Sequence, residues 1–157
     1  MFAIGIGYPL ELKNDRYEIE LGSGTTFLNS TETSVWLKFN GLKSIIDMSD
    51  CGAVFDRLVN IGALKKSETL QGLLFAIKDV IPVRQGAGTL AKDTNAIFVS
   101  EKQVSLSKLD FEIWKSSNGK KTVAEIWYYT KSTFGINEEI FLQRLSALDE
   151  MDLIFLR

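Results

Sequence analysis

The sequence predicts an α+β protein assembled from one small unit used twice, and three observations carry that reading. The stretch Leu28 to Gly41, LNSTETSVWLKFNG, returns 78 residues later as Leu106 to Gly119, LSKLDFEIWKSSNG. Leu28, Trp36, Asn40 and Gly41 of the first stretch match Leu106, Trp114, Asn118 and Gly119 of the second. The helix starts match as well, since Asn29 with Glu32 and Ser107 with Asp110 each place a short acceptor ahead of an acid three residues on.

Taken in order, Met1 to Leu12 carries Phe2, Ile4, Ile6 and Tyr8 at period two and reads as a strand ended by Pro9. Tyr17 to Leu21 and Thr25 to Leu28 flank Gly22-Ser23-Gly24, a hairpin signal. A first helix is expected from Ser30 to about Phe39, with Asn40-Gly41 as its left-handed stop. Ser44 and Asp47 suit a capping box over one short turn, and from Asp50 a third helix lines up Val54, Leu58 and Ile61. Ser67 is placed to cap a further helix bearing Leu70, Leu73, Leu74 and Ile77 at helical spacing. Val80 to Arg84 is extended around Pro82, and Gln85 to Asn95, with Gly86 and Gly88, is the best linker.

The second unit opens with a hairpin of Ala96 to Val99 and Gln103 to Leu106, joined through Ser100-Glu101-Lys102. Its helices run from Lys108 to Ser117, from a Thr122–Glu125 capping box to about Lys131, and from Asn137 to about Met151. The last carries Ile140, Phe141, Leu145 and Leu148 as its inner stripe, and Leu153 to Leu156 reads as a closing strand. Leu58, Ile61 and Leu64 match Leu148, Met151 and Ile154 at an offset of 90, so the first unit lacks most of a middle helix. Strand, strand and three helices, twice, is the winged-helix order. The expected organisation is a strand and degenerate winged-helix unit over 1–66, a connecting helix and linker over 67–94, and a complete unit over 95–157.

Composition narrows the chemistry. The absence of histidine removes the usual general base near neutral pH and the commonest transition-metal ligand. The single Cys51 makes neither an internal disulfide nor a CxxC pair, and is expected as a small buried filler in a reducing cytoplasm. No carboxylates are spaced for acid–base work and Gly86-Ala87-Gly88-Thr89 lacks phosphate-loop spacing, so no catalytic residue, cofactor or metal is expected. The apolar start MFAIGIGYPL has no basic leader and is too short to span a bilayer, so no membrane association is expected.

From Phe98 to Ile154 the chain resembles the PqqD-like family, small winged-helix domains that recognise leader segments of ribosomally made, modified peptides. The resemblance rests on a hairpin ending in Leu106, the tryptophan helix, and the run Asn118-Gly119-Lys120-Lys121-Thr122-Val123-Ala124-Glu125-Ile126. Phe134-Gly135-Ile136 before an acidic helix start, and Leu148 with Leu153-Ile154, complete it. The chain departs from that family's usual single copy in having two units and an extra helix.

The resemblance implies a non-catalytic adaptor that takes a peptide as an added strand, its partner being a precursor peptide and its modifying enzyme. The edge would be Gln103, Val104, Ser105 and Leu106, and the cleft wall Phe141, Gln143 and Arg144. Read from the residues, Trp36 and Trp114 are core. Three consecutive aromatics cannot all face inward on one helix, so Trp127, Tyr128 and Tyr129 are a candidate interface between copies, as in a homodimer, or with a partner. Lys120 and Lys121 are a candidate docking site for an acidic segment. The rival reading is a winged-helix DNA-binding regulator. It is disfavoured by a net charge of −2 and by a third helix offering Glu138, Glu139, Asp149, Glu150 and Asp152 against Arg144.

Overall fold

The computed structural model describes residues 1–13, 16–45, 52–88 and 95–157. The first half runs β1 (Phe2–Gly5), β2 (Tyr8–Lys13), β3 (Arg16–Leu21), β4 (Gly24–Leu28), α1 (Ser30–Leu37), β5 (Lys43–Ser44), α2 (Gly52–Asn60) and β6 (Leu64–Ser67). After α3 (Leu70–Ala76) come β7 (Pro82–Arg84), β8 (Ala87–Gly88), β9 (Ala96–Val99) and β10 (Lys102–Ser105). The chain ends through α4 (Lys108–Ser116), α5 (Val123–Phe134), α6 (Glu138–Glu150) and β11 (Ile154–Leu156). The strands form small antiparallel sheets ordered β5-β1-β6, β2-β3-β4, β10-β9-β8 and β11-β7.

The pairing repeats between halves. Glu18 faces Phe27 in the first hairpin as Ala96 faces Ser105 in the second, and Tyr8 faces Glu20 as Ala87 faces Phe98. Gly5 faces Leu64 as Arg84 faces Ile154, which sets the offset of the closing strands at 90. Hydrogen bonds repeat too. Gly5 N–H donates to Phe39 O (2.8 Å) and Arg84 N–H to Ser117 O (2.6 Å). Ile6 N–H reaches Ala63 O and Gln85 N–H reaches Leu153 O, both at 2.8 Å. The indole Nε1–H of Trp36 donates to Ile6 O (3.0 Å), that of Trp114 to Gln85 O (2.9 Å). Gly5 is therefore the counterpart of Arg84, and Gly7 of Gly86.

Local chemistry sets the element ends. Asn29 and Thr122 form reciprocal capping boxes with Glu32 and Glu125, each satisfying helix-start N–H groups that have no partner inside the helix. Gly41, Gly119 and Gly135 stop helices or turns at φ of 74, 76 and 66°, in the left-handed region. Ser100 and Glu101 both hold positive φ, a two-residue turn whose twist suits a hairpin.

Several expectations need correction. The N-terminal segment is two strands, because Gly7 at φ 134° turns the chain between them. Pro9 lies within β2 rather than ending a strand. It is tolerated because β2 is an edge strand whose register shifts between Pro9 and Glu11. Ser44 belongs to β5 opposite Phe2, while Asp47 and Cys51 lie outside the described residues. Thr69, not Ser67, caps α3, its hydroxyl accepting from Gly72 N–H. Within 67–94, β7 pairs with β11 and β8 with β9, and residues 89–94 lie outside the described residues.

One apolar core runs through both halves, including Ile4, Phe55 and Leu64 with Ile97, Trp114 and Leu145. Trp36 and Trp114 are both buried in it. The halves are also joined by polar contacts. Gly7 N–H donates to Leu156 O (2.6 Å), and Arg157 pairs with Glu20 (3.2 Å). The turn after α1 rests on the end of α6: Gly41 N–H donates to Asp149 Oδ2 (2.9 Å) and Leu42 N–H to Ser146 Oγ (2.7 Å). Lys43 meets Glu150 at 2.8 Å.

Candidate functional site

The hairpin edge of the second half is the first surface to consider. Strand β10 pairs with β9, and among the described residues no strand lies along its other side. Leu106 N–H donates to Asn95 O at 2.7 Å, so the antiparallel alternation turns the main-chain groups of Val104 toward β9 as well. The N–H and C=O of Gln103 and Ser105 therefore point away from the sheet. Both side chains are exposed, while Val104 and Leu106 are half-buried against the core.

After this edge the chain turns into α4, which packs against α6. Arg144 lies 3.7 Å from Asp110 in the first turn of α4, and Ser107 Oγ donates to the same carboxylate oxygen (2.6 Å). The other oxygen of Asp110 is buried and accepts nothing among the described residues. Gln143 is exposed and donates to Glu139 (3.3 Å). Phe141 is not part of this wall. It is fully buried and packs on Trp127 at 5.3 Å between ring centres. The helix turns by about 100° per residue, so Gln143 falls on the side opposite Phe141, while Arg144, three residues on, flanks the inward stripe and is exposed. Ile140, expected inward, is 39% exposed, and Leu142 takes its place in the core.

The aromatic triplet divides similarly. Trp127 is buried with Lys131 over its ring (5.3 Å). The Tyr129 hydroxyl donates a hydrogen bond to Glu112 of α4 (3.1 Å), and Lys121 lies 5.5 Å from its ring. The Glu112 carboxylate, by charge and then by hydrogen bond, raises the Tyr129 phenol above its usual range. Tyr128 is 69% exposed and Tyr129 40%, so Tyr128 is the member of the triplet most open to a partner. Lys120, next to Lys121 in sequence, is exposed, its backbone N–H donating to Asn118 Oδ1.

A second surface was missed by sequence reasoning. A cleft of about 400 Å³ opens between the halves, walled by Gly5, Gly7, Tyr17, Trp36, Leu37 and Phe155. Pro9, Asn40, Asp149 and Asp152 complete it. Asp149, counted from sequence among exposed acids, is buried. Burial pushes its carboxyl up to about 7 against the Gly41 N–H bond that lowers it, with Asp152 and Glu150 adding to the rise and Lys43 opposing it. The signal was present in the spacing: Asp149 follows Leu142 by seven residues, two helical turns, and so falls on the inward stripe.

Comparison of the chain with protein-family models, with curated proteins and with solved structures returned no match. Among the described residues no helix is long and apolar enough to cross a membrane.

Proposed function

We propose that the protein is a non-catalytic peptide- or protein-binding adaptor built from two winged-helix-like units, the second of which takes an extended segment as an added strand along β10. The observation that carries this is the open edge, where Gln103 and Ser105 direct main-chain donors and acceptors outward. Main-chain hydrogen bonds would supply affinity, and the flanking side chains selectivity. A precursor peptide, with its modifying enzyme, is the partner class that the PqqD-like resemblance suggests, and the cytoplasm is its setting.

The DNA-binding reading is opposed by the seating of α6. The end of that helix is engaged by the first half through Ser146, Asp149 and Glu150, and Arg144 is already paired with Asp110. A recognition helix needs its outer face free to enter the major groove. The acids available to repel DNA are fewer than the sequence suggested, since Asp149 is buried and Glu150 paired, so this packing is the stronger objection.

The test is titration with a candidate precursor peptide and, in parallel, with labelled duplex DNA at physiological salt. Micromolar or tighter peptide binding, lost in Ser105→Pro, is expected. Proline there removes an outward donor and leaves the Val104 and Leu106 bonds to β9 in place. DNA binding with a steep salt dependence and no peptide binding would replace this reading with that of a regulator.

A further inference from the structure

The two halves differ at one point in a way that specifies a ligand. In the second half the guanidinium of Arg84 lies over the ring of Trp114, 4.8 Å from its centre, and donates to Lys115 O (3.1 Å). In the first half the counterpart of Arg84 is Gly5, the counterpart of Trp114 is Trp36, and Trp36 lines the cleft. The protein thus fills one tryptophan seat with its own cation and, among the described residues, leaves the equivalent seat without one.

The surroundings of the first seat have changed in the complementary direction. Among the described residues its lining holds the carboxylates of Asp149 and Asp152 and no lysine or arginine. Tyr17 stands 6.4 Å from Trp36, ring centre to ring centre, and Phe155 adds a further aromatic wall. Leu37 stands at the rim where the second half has Lys115. Aromatic faces with carboxylates at one end attract a cation and its apolar stem together.

We propose that the cleft between the halves binds an organic cation, an alkylguanidinium or alkylammonium group lying over Trp36 with its charge against Asp152 and Asp149. This site is independent of strand addition at β10, so either can fail without the other. The chemistry is shared by a free small amine or guanidine and by an arginine or lysine side chain of a bound protein.

The groups facing Asp149 are Gly41 N–H and Lys43 from the first half, and Glu150 and Asp152 from its own end of the chain. Lys43 is held by Glu150 (2.8 Å), so it does not neutralise the cleft. Deprotonation of Asp149 as pH rises adds charge where the ligand's cation sits, and affinity should rise with it.

Calorimetric titration of the full chain tests this with agmatine and butylamine as cations, butanol and butyrate as neutral and anionic matches, and an acetylated, amidated arginine pentapeptide. Both simple cations should bind in preference to butanol and butyrate, and more tightly at about pH 8 than at about pH 5.5. Asp152→Asn, at an exposed position, should weaken agmatine about tenfold. Leu37→Arg, which supplies an internal cation from an exposed position, should weaken it at least as much. Asp149→Asn should remove the pH dependence. Tighter binding of the pentapeptide than of agmatine assigns the seat to a side chain, and the reverse assigns it to a small molecule. Failure of every cation to bind, butanol or butyrate binding equally well, or agmatine affinity unchanged in both Asp152→Asn and Leu37→Arg would overturn the proposal.

Discussion

The two halves share a backbone pattern and divide over what their side chains do with it. In the second half the polar groups close on their own unit: Arg84 caps Trp114, Gly119 N–H donates to Pro82 O, and the N–H groups of Val123 and Ala124 are met by Val80 O and Lys78 O. In the first half they are closed by the other half, with Asp149, Ser146 and Glu150 serving the turn after α1. The lesson is that two halves with different helix complements can keep matching strand registers when one supplies acceptors to the other. The half that keeps all three helices completes itself, and its hairpin edge stays open.

The sharpest way to break this comparison is at the matched tryptophans. Trp36→Ala and Trp114→Ala should each cost about 3–5 kcal/mol, since each removes a buried ring and frees a carbonyl. With one core running through both halves, either variant should still unfold in a single transition. Two separate transitions by calorimetry would show that the halves are thermodynamically independent.

Asp149→Ala should come next, at about 1–3 kcal/mol, because it strands the buried N–H of Gly41. Asp149→Asn keeps an acceptor and isolates the charge. The native carboxyl titrates at about 7, above its ordinary 3.8, so between those values the folded state binds more protons than the unfolded chain. Stability should therefore be greatest in mild acid and fall as pH rises toward 7. Denaturant melts across that range should show the slope in the parent and its loss in Asp149→Asn.

The equivalent glycines give a smaller and more discriminating pair. Gly119→Ala should cost about 1–2 kcal/mol for a left-handed backbone alone, as its new Cβ would meet only Val83 at 3.8 Å. Gly41→Ala carries the same strain, and its Cβ would also overlap the Glu150 side chain, forcing it off Lys43. The first half should thus be the more sensitive, and equal losses would remove Glu150 from the account. Smallest are the caps: Asn29→Ala and Thr122→Ala should each cost about 1 kcal/mol and differ little, because both boxes are complete.

What was legible in the sequence follows from these same residues. Trp36 and Trp114 are repeated because an indole N–H must reach a carbonyl, and Gly41 and Gly119 because their backbone is left-handed, so identity survives at those positions. The correspondence of β1 with β7 was not legible. FAIG and PVR share no residue, and their match lies in main-chain bonds that any side chain permits. Asp149 and the cleft were missed for a related reason. An acid near a helix end reads as solvated until the chain segment that packs over it is known, and that segment lies 108 residues away. The outward turn of Gln103 and Ser105 needed one hydrogen bond, Leu106 to Asn95, to set its phase.

The contact between the turn after α1 and the end of α6 also orders events on the ribosome. Every strand and helix of the first half has been synthesised once Ser67 emerges, yet the N–H groups of Gly41 and Leu42 must wait for Asp149 and Ser146. Those partners come 108 and 104 residues after them. Counted from Ser67 and at roughly 5–20 residues per second, that leaves on the order of 4–16 s during which a nearly complete unit holds two donors open to water. A nascent first half is thus a distinct species, with its cleft unwalled on the side of Asp149, Asp152 and Phe155. Its maturation waits for α6, and stalling translation before Ser146 should leave the turn after α1 open to proteolysis in a chain whose first hairpin is already protected.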